Sequence, residues 1–194
     1  MFSANSDNVK PVINAFKAGV HKVTELEVSI EPFKKNDDTI YEVIDIIFKN
    51  DKNSSHTHRL FEPKGNDLEK VKKSAQKVAK ECWYILSKAT GKDVKIEVST
   101  FKELQELMFN ELNGMKLTSH QIKLTANKNS NGKYYVGFVT YPVTEKNPQW
   151  GFGWFHNLSV DSELTLSQSE INNIKLMESS SIPKNTEEPE ETPF

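Results

Sequence analysis

Along this chain the spacing of apolar residues switches between two and three-to-four, and the switches mark the elements. From Val20 to Ile30, Leu26, Val28 and Ile30 alternate with Glu25, Glu27 and Ser29. That is the period-two pattern of a strand with one buried and one wet face. Ile40–Phe48, IYEVIDIIF, is rich in β-branched and aromatic residues and predicts a more fully buried strand. KKNDDT at 34–39 and DKNSS at 51–55 are polar turns around it. His56–Phe61 predicts a short third strand, stopped by Pro63 and Gly65.

The period then lengthens. Leu68, Val71, Ala75, Val78, Cys82 and Ile85 recur every three or four residues, with Lys70, Lys73, Lys77 and Lys80 off that stripe. An amphipathic helix over Asp67–Ala89 is expected, capped by Asn66 or Asp67 and stopped at Gly91. Val94–Val98 reads as a short strand or extended link, and FKELQELMFNEL at 101–112 as a second helix. Alternation returns in Gln121–Asn127, where Ile122, Leu124 and Ala126 share one side. NKNSNG at 127–132 is a turn signal, and KYYVGFVTY at 133–141 a strand ended by Pro142. Gln149–His156 is an aromatic and glycine segment, and Ser167–Met177 a last short helix.

Three strands, a helical insert and two or more further strands is the order of the OB-fold, a five-stranded Greek-key barrel with a helix between its third and fourth strands. The expected fold is therefore mainly β with helical inserts, closed as a small barrel. One OB-like domain over residues 1–178 is expected. Residues 1–18 form its poorly determined lead-in, with a weak apolar cluster of Val12, Ile13 and Phe16. Residues 179–194 hold Pro, Ser, Glu and Thr with almost nothing to bury, and are expected to be a disordered tail.

Composition narrows the class. A chain of 194 residues with 36% hydrophobic and 27% charged residues excludes collagen and a membrane bundle. No apolar run approaches the roughly 18 residues of a bilayer span. The start, MFSANSDNVK, has no basic stretch followed by an apolar one, so no secretory signal is read. One cysteine, Cys82, excludes an internal disulfide and a multi-cysteine zinc site, and suits a reducing, cytoplasmic setting. Net charge is −2, but it is unevenly spread. From Ser179 onward four glutamates face one lysine, so the body is slightly basic and the tail acidic. A local basic groove is compatible with that balance.

Aromatic residues cluster near lysines. Tyr134, Tyr135, Phe138 and Tyr141 are followed by Trp150, Phe152, Trp154 and Phe155, with WGFGWF alternating rings and glycines. In extended chain Trp150, Phe152 and Trp154 project to one side. Single-strand binders use this combination: rings on which bases stack, and cations that follow the phosphates. Lys123, Lys128, Lys133 and Lys146 are the nearby cations. The same rings also suit a core. Tyr134, Val136 and Phe138 form the expected core face, while Tyr135 and Tyr141 share the other face with Lys133; Trp150 and Trp154 fit either side. The lysines of the 67–89 helix fit a solvated face, with Glu69 and Glu81 as i,i+4 partners of Lys73 and Lys77. Arg59, beside His56, His58 and Phe61, is a surface, core or nucleic-acid residue.

Other chemistry is sparse. His56, His58 and Glu62 have a spacing similar to that of metal-binding cupin barrels, with His120 or His156 needed as a further ligand. The glycine that usually precedes that motif is absent. There is no GxxxxGK[ST], GxGxxG or GxSxG. Cys82 lies on the apolar stripe, as a buried, inert thiol would.

The chain closes on EEPEETPF: Glu187, Glu188, Glu190 and Glu191, then Pro193 and Phe194. A terminal ring suits an apolar pocket on a partner, with the carboxylates meeting a basic rim. These residues resemble the acidic C-terminal tip of bacterial and bacteriophage single-stranded-DNA-binding proteins, although Thr192 stands where an aliphatic residue is usual. The body resembles the divergent barrels of phage replication proteins at the level of architecture. The resemblance implies a non-enzymatic, cofactor-free protein of a replication or recombination system, working in a bacterial host's cytoplasm. It implies sequence-independent binding of single-stranded DNA and recruitment of replication proteins by the tail. The residues assigned to DNA are Tyr135, Tyr141, Trp150, Phe152, Trp154, Lys123, Lys128, Lys133, Lys146 and Arg59. A cupin-like metal enzyme and a protein-only adaptor are the alternatives.

Overall fold

The computed structural model describes residues 14–138 and 153–180. Strands β1 (Asn14–Ala15), β2 (Gly19–Ser29), β3 (Phe33–Lys34), β4 (Ile40–Tyr41), β5 (Val43–Lys49) and β6 (Ser54–Phe61) precede helices α1 (Leu68–Thr90) and α2 (Phe101–Leu112). Strands β7 (Met115–Lys128), β8 (Tyr134–Gly137) and β9 (Phe155–Asn157) and helix α3 (Gln168–Ser180) follow.

The main sheet is hydrogen-bonded in the order β1-β6-β5-β2-β7-β8, with β9 also pairing β7. All its ladders are antiparallel except β1 with β6. Among the described residues the sheet is open, so the closed five-stranded barrel expected from the element order is not what forms. One physical reason is on β6. Its outer edge is occupied at Ser54 and Ser55 by β1, with Phe16 N–H donating to the Ser55 carbonyl at 2.9 Å. The segment read as a lead-in therefore supplies an edge strand and a buried ring, Phe16, stacked on His21.

Alternation decides which face each residue takes. Val23, Leu26 and Val28 of β2, Ile44, Ile46 and Phe48 of β5, Leu60 of β6, and Ile122 and Leu124 of β7 line the inner face and are buried. A bulge between Val23 and Glu25 keeps Val23 and Leu26 on that same side. Helices α1 and α2 cover this face. Asp67 caps α1 by accepting the Lys70 N–H at 3.1 Å, and Gly91 closes it in the left-handed region, φ 67°. Thr100 and Glu103 form a reciprocal capping box on α2, whose Leu104, Met108 and Leu112 are buried. Gln105 ties α2 to the sheet by donating to the Val43 carbonyl at 2.9 Å.

Two boundaries differ from the sequence pattern. β7 starts at Met115, six residues early, because Leu117 and Met115 reach the core beside Leu26. Of the two readings of Val94–Val98, strand or link, the link is found, with Val94, Ile96 and Val98 packed on the core. α3 runs to Ser180, two residues into the segment expected to be tail. No helix among the described residues is long and apolar enough to cross a membrane.

Candidate nucleic-acid interface

The outer face of the sheet is built by the residues that alternate with the core. Directly paired residues point to the same side, so Phe61, Arg59 and Thr57 of β6 share a face with Asp45, Ile47 and Lys49 of β5 and with Glu25 and Glu27 of β2. Most of its charges neutralise each other across strands. Lys49 pairs with Glu27, and Lys116 with Glu25 at 2.7 Å. The Arg59 guanidinium is held by both Asp45 oxygens, at 2.7 and 2.6 Å.

At one corner of this face the sequence builds a ring cluster. Phe33 directly precedes the polar turn and Tyr41 follows it after Ile40, and the two become cross-strand partners in the β3–β4 hairpin. The Asp37 side chain accepts the Thr39 N–H at 3.1 Å to shape that turn, and Asp38 takes a positive φ of 62°. Phe61 meets Phe33 and Tyr41 edge-on, at centroid distances of 6.2 and 5.7 Å. Arg59 lies over the Phe33 ring, 4.0 Å from its centroid. Phe61 remains 44% exposed and Ile40 62%. The exposed Phe61 ring, edged by the half-buried Phe33 and Tyr41 and beside an oriented guanidinium, forms a surface on which a planar group can stack. Pattern reading missed Phe33 and Tyr41 in this role; the signal was an aromatic residue on each side of KKNDDT.

The residues assigned to DNA from the sequence fall into four groups. Arg59 is at this ring corner. Tyr135, Lys128 and Lys133 are together at the diagonally opposite corner, on the β7–β8 hairpin. There the Asn129 side chain accepts the N–H groups of Asn131 and Lys133 at 3.0 and 2.8 Å, and Gly132 supplies the positive φ that the turn needs. Tyr135 is 53% exposed and leans over Gly137, where a Cβ would stand 3.3 Å from the ring. Lys128 lies over Tyr134, 5.3 Å from its centroid. Val136 and Phe138 pack on the core, as the alternation predicts.

Two assignments are corrected by burial. Trp154 is 2% exposed and stacks on Phe138 at 3.8 Å inside the core, so it offers no face to a ligand. Lys123 is on the outer face, but α3 covers it; it pairs with Glu170 at 3.1 Å and both are buried. Tyr141, Lys146, Trp150 and Phe152, and the tail residues Glu187, Glu188, Glu190, Glu191, Pro193 and Phe194, lie outside the described residues.

The two histidines of β6 point inward. His58 Nε2 sits 3.1 Å from the buried Glu81 carboxylate, and both His56 and His58 contact the Phe138 ring edge-on. Glu62 is engaged instead by Lys64 at 2.8 Å. Among the described residues no group of three or more His, Cys, Asp or Glu converges to hold a metal. Burial, with smaller contributions from the nearby His58 and His21, pulls the His56 imidazole down to about 4 from its ordinary 6.5. The unfolded chain therefore binds a proton between these values that the folded chain refuses. Stability should be full above pH 6.5 and fall towards pH 4, by at most about 3 kcal/mol from this group. Denaturant titrations from pH 7 to 4.5 should show a flatter slope for His56→Gln than for the parent; parallel slopes would remove His56 as the cause. Burial also pushes the Cys82 thiol up to about 12, which suits an inert core sulfur.

No protein-family model matches the chain, and no curated protein matches it. The functional reading rests on the residues themselves.

Proposed function

We propose that the chain is a non-enzymatic single-stranded-DNA-binding protein of a phage-type replication or recombination system. The observation that carries the reading is the Phe33–Tyr41–Phe61 ring cluster, with Phe61 exposed, Phe33 and Tyr41 half-buried beside it, and Arg59 over the Phe33 ring. Bases stack on such rings whatever their identity, each contributing about 1–3 kcal/mol, so binding is largely sequence-independent. Tyr135 with Lys133 is a second ring-and-cation spot on the same sheet, while Lys128 lies over Tyr134 on the other face. The ladder β6-β5-β2-β7-β8, with the helices inserted after β6, the third of these strands in chain order, supports an opened relative of the OB-type barrel. In this reading the EEPEETPF segment recruits replication proteins, Phe194 filling an apolar pocket and the glutamates meeting a basic rim.

The test is an anisotropy titration of a labelled oligo(dT) with the full chain. Binding should weaken as salt rises. Tyr41→Ala and Phe61→Ala should each lower affinity by about 1–3 kcal/mol, and their unfolding midpoints report whether the fold is kept. Absence of salt-sensitive binding by the parent, or full affinity in the folded Tyr41→Ala/Phe61→Ala variant, would overturn the reading.

A further inference from the structure

Rings supply stacking, but a polynucleotide also brings one charge per nucleotide, and each cation nearest the ring corner lies beside an acid. Arg59 is held by Asp45, Lys34 by Asp38 at 2.7 Å, Lys35 by Asp37 at 3.6 Å and Lys64 by Glu62. The chain leaves this corner at Phe61 and reaches the Asp67 cap of α1 six residues later. Val71 of α1 is close to Gly65 on the way, 3.6 Å from where its Cβ would stand.

Helix α1 is divided in two. Its buried residues, Glu81, Cys82, Tyr84, Ile85, Leu86 and Ala89, all lie in the second half. The first half is more exposed, with Leu68 83% exposed and Val78 packed on the core. On this half Lys70, Lys73, Lys77 and Lys80 recur at i, i+3, i+7 and i+10, which places them on one side of the helix, with successive rises of about 4.5–6 Å. The acids that could neutralise them are few. Glu81 is turned inward to His58 and reaches Lys77 only at 3.9 Å. Lys70 has an exposed contact to Asp67 at 3.3 Å. Glu69, four residues before Lys73, makes no ion pair with it, and Lys73 and Lys80 have no acidic partner among the described residues.

We propose that this lysine row, on the helix side of the sheet, is a phosphate track for a strand that passes around the β6 edge from the Phe33–Tyr41–Phe61 corner on the outer face. The inference rests on the reading of the previous subsection. A protein partner fits the row less well, since protein–protein interfaces are depleted in lysine and need an apolar centre. The apolar groove of α1, about 310 Å³ and floored by Ala75, Val78, Ala79, Phe101 and Leu104, opens on another flank. A flexible lysine row matches a polynucleotide backbone, whose phosphates are met as point charges without sequence information.

The experiment measures oligo(dT) affinity against salt for the full-length parent and for the Lys70→Gln/Lys73→Gln/Lys77→Gln/Lys80→Gln variant. These side chains are exposed and glutamine is a good helix former, so circular dichroism should be unchanged. Each phosphate contact in single-stranded binding contributes a slope of about 0.7 in log affinity against log salt, so the variant should lose about 3. As a second readout, oligo(dT) should protect these four lysines from acetylation in the parent. A parent that binds while the variant keeps its full salt slope and the lysines stay reactive would overturn the track and leave the ring platform standing. A parent that binds no oligo(dT) would overturn the functional reading itself. Displacement of oligo(dT) by polyglutamate at equal charge concentration would make the row a site for acidic protein, and would equally end the proposal.

Discussion

Trp154→Ala should lower stability by about 3–5 kcal/mol, the range for removing a large ring from a packed core. The ring is 2% exposed. It stacks on Phe138 at 3.8 Å and meets Tyr84 and Phe48 edge-on at 5.5 and 6.1 Å, with His58 tilted at 5.4 Å. Those neighbours come from α1, β5, β6 and the end of β8, so the cavity would open where separate elements meet, and no single one can collapse into it. The next residue is fixed as well: the Tyr84 hydroxyl donates to the Phe155 carbonyl at 2.5 Å and lies 3.2 Å from the Phe155 N–H. Urea denaturation should show an early midpoint for Trp154→Ala and a smaller loss for Trp154→Phe. In buffer, with folding of each variant verified by circular dichroism, oligo(dT) affinity should match the parent. Unchanged stability with lost affinity would place the ring at the ligand instead of in the core.

The contrast between Trp154 and Phe61 shows what the sequence could and could not reveal. Helix bounds were legible because capping is local: Thr100 with Glu103, Asp67 with the Lys70 N–H, and Gly91 each act within four residues. The inner faces of β2, β5 and β7 were legible because alternation names them directly. Exposure of particular rings was not, because it depends on contacts between distant segments. Nothing near Trp154 in the chain announces that Phe48, Tyr84 and Phe138 surround it. The openness of the sheet was hidden for the same reason, since β1 lies in a segment whose composition resembles a lead-in, and only its pairing with β6 gives it a role. The lysine row of α1 was visible as a pattern. Its meaning required knowing that Glu81, a formal i,i+4 partner of Lys77, is drawn inward by His58.

Lys123→Met should be as damaging as the loss of Trp154, and in a different way. Lys123 is correctly read as an outward residue, opposite Val20 on β2. The cover comes from Glu170, 47 residues later, on α3. Replacing the lysine leaves a carboxylate that is 6% exposed without its cation, and breaking a buried pair from one side costs about 3–5 kcal/mol. Part of that cost can be escaped. The polar anchoring of α3 to the sheet includes the Lys123 ammonium with Glu170 and with the Thr165 carbonyl, so undocking α3 returns Glu170 to water. The expected signature is therefore a local one: amide exchange should accelerate across 168–180 before the rest of the sheet opens. Glu170 also caps α3, accepting the Ser167 N–H at 2.7 Å while its own N–H meets the Ser167 hydroxyl at 3.3 Å. Glutamine can keep that reciprocal cap without the charge. Lys123→Met/Glu170→Gln should thus recover most of the stability and slow the exchange again. A double variant no better than Lys123→Met would show that the ammonium holds β7 and α3 together through the Thr165 carbonyl and its packing, and that the unpaired carboxylate is not the source of the loss.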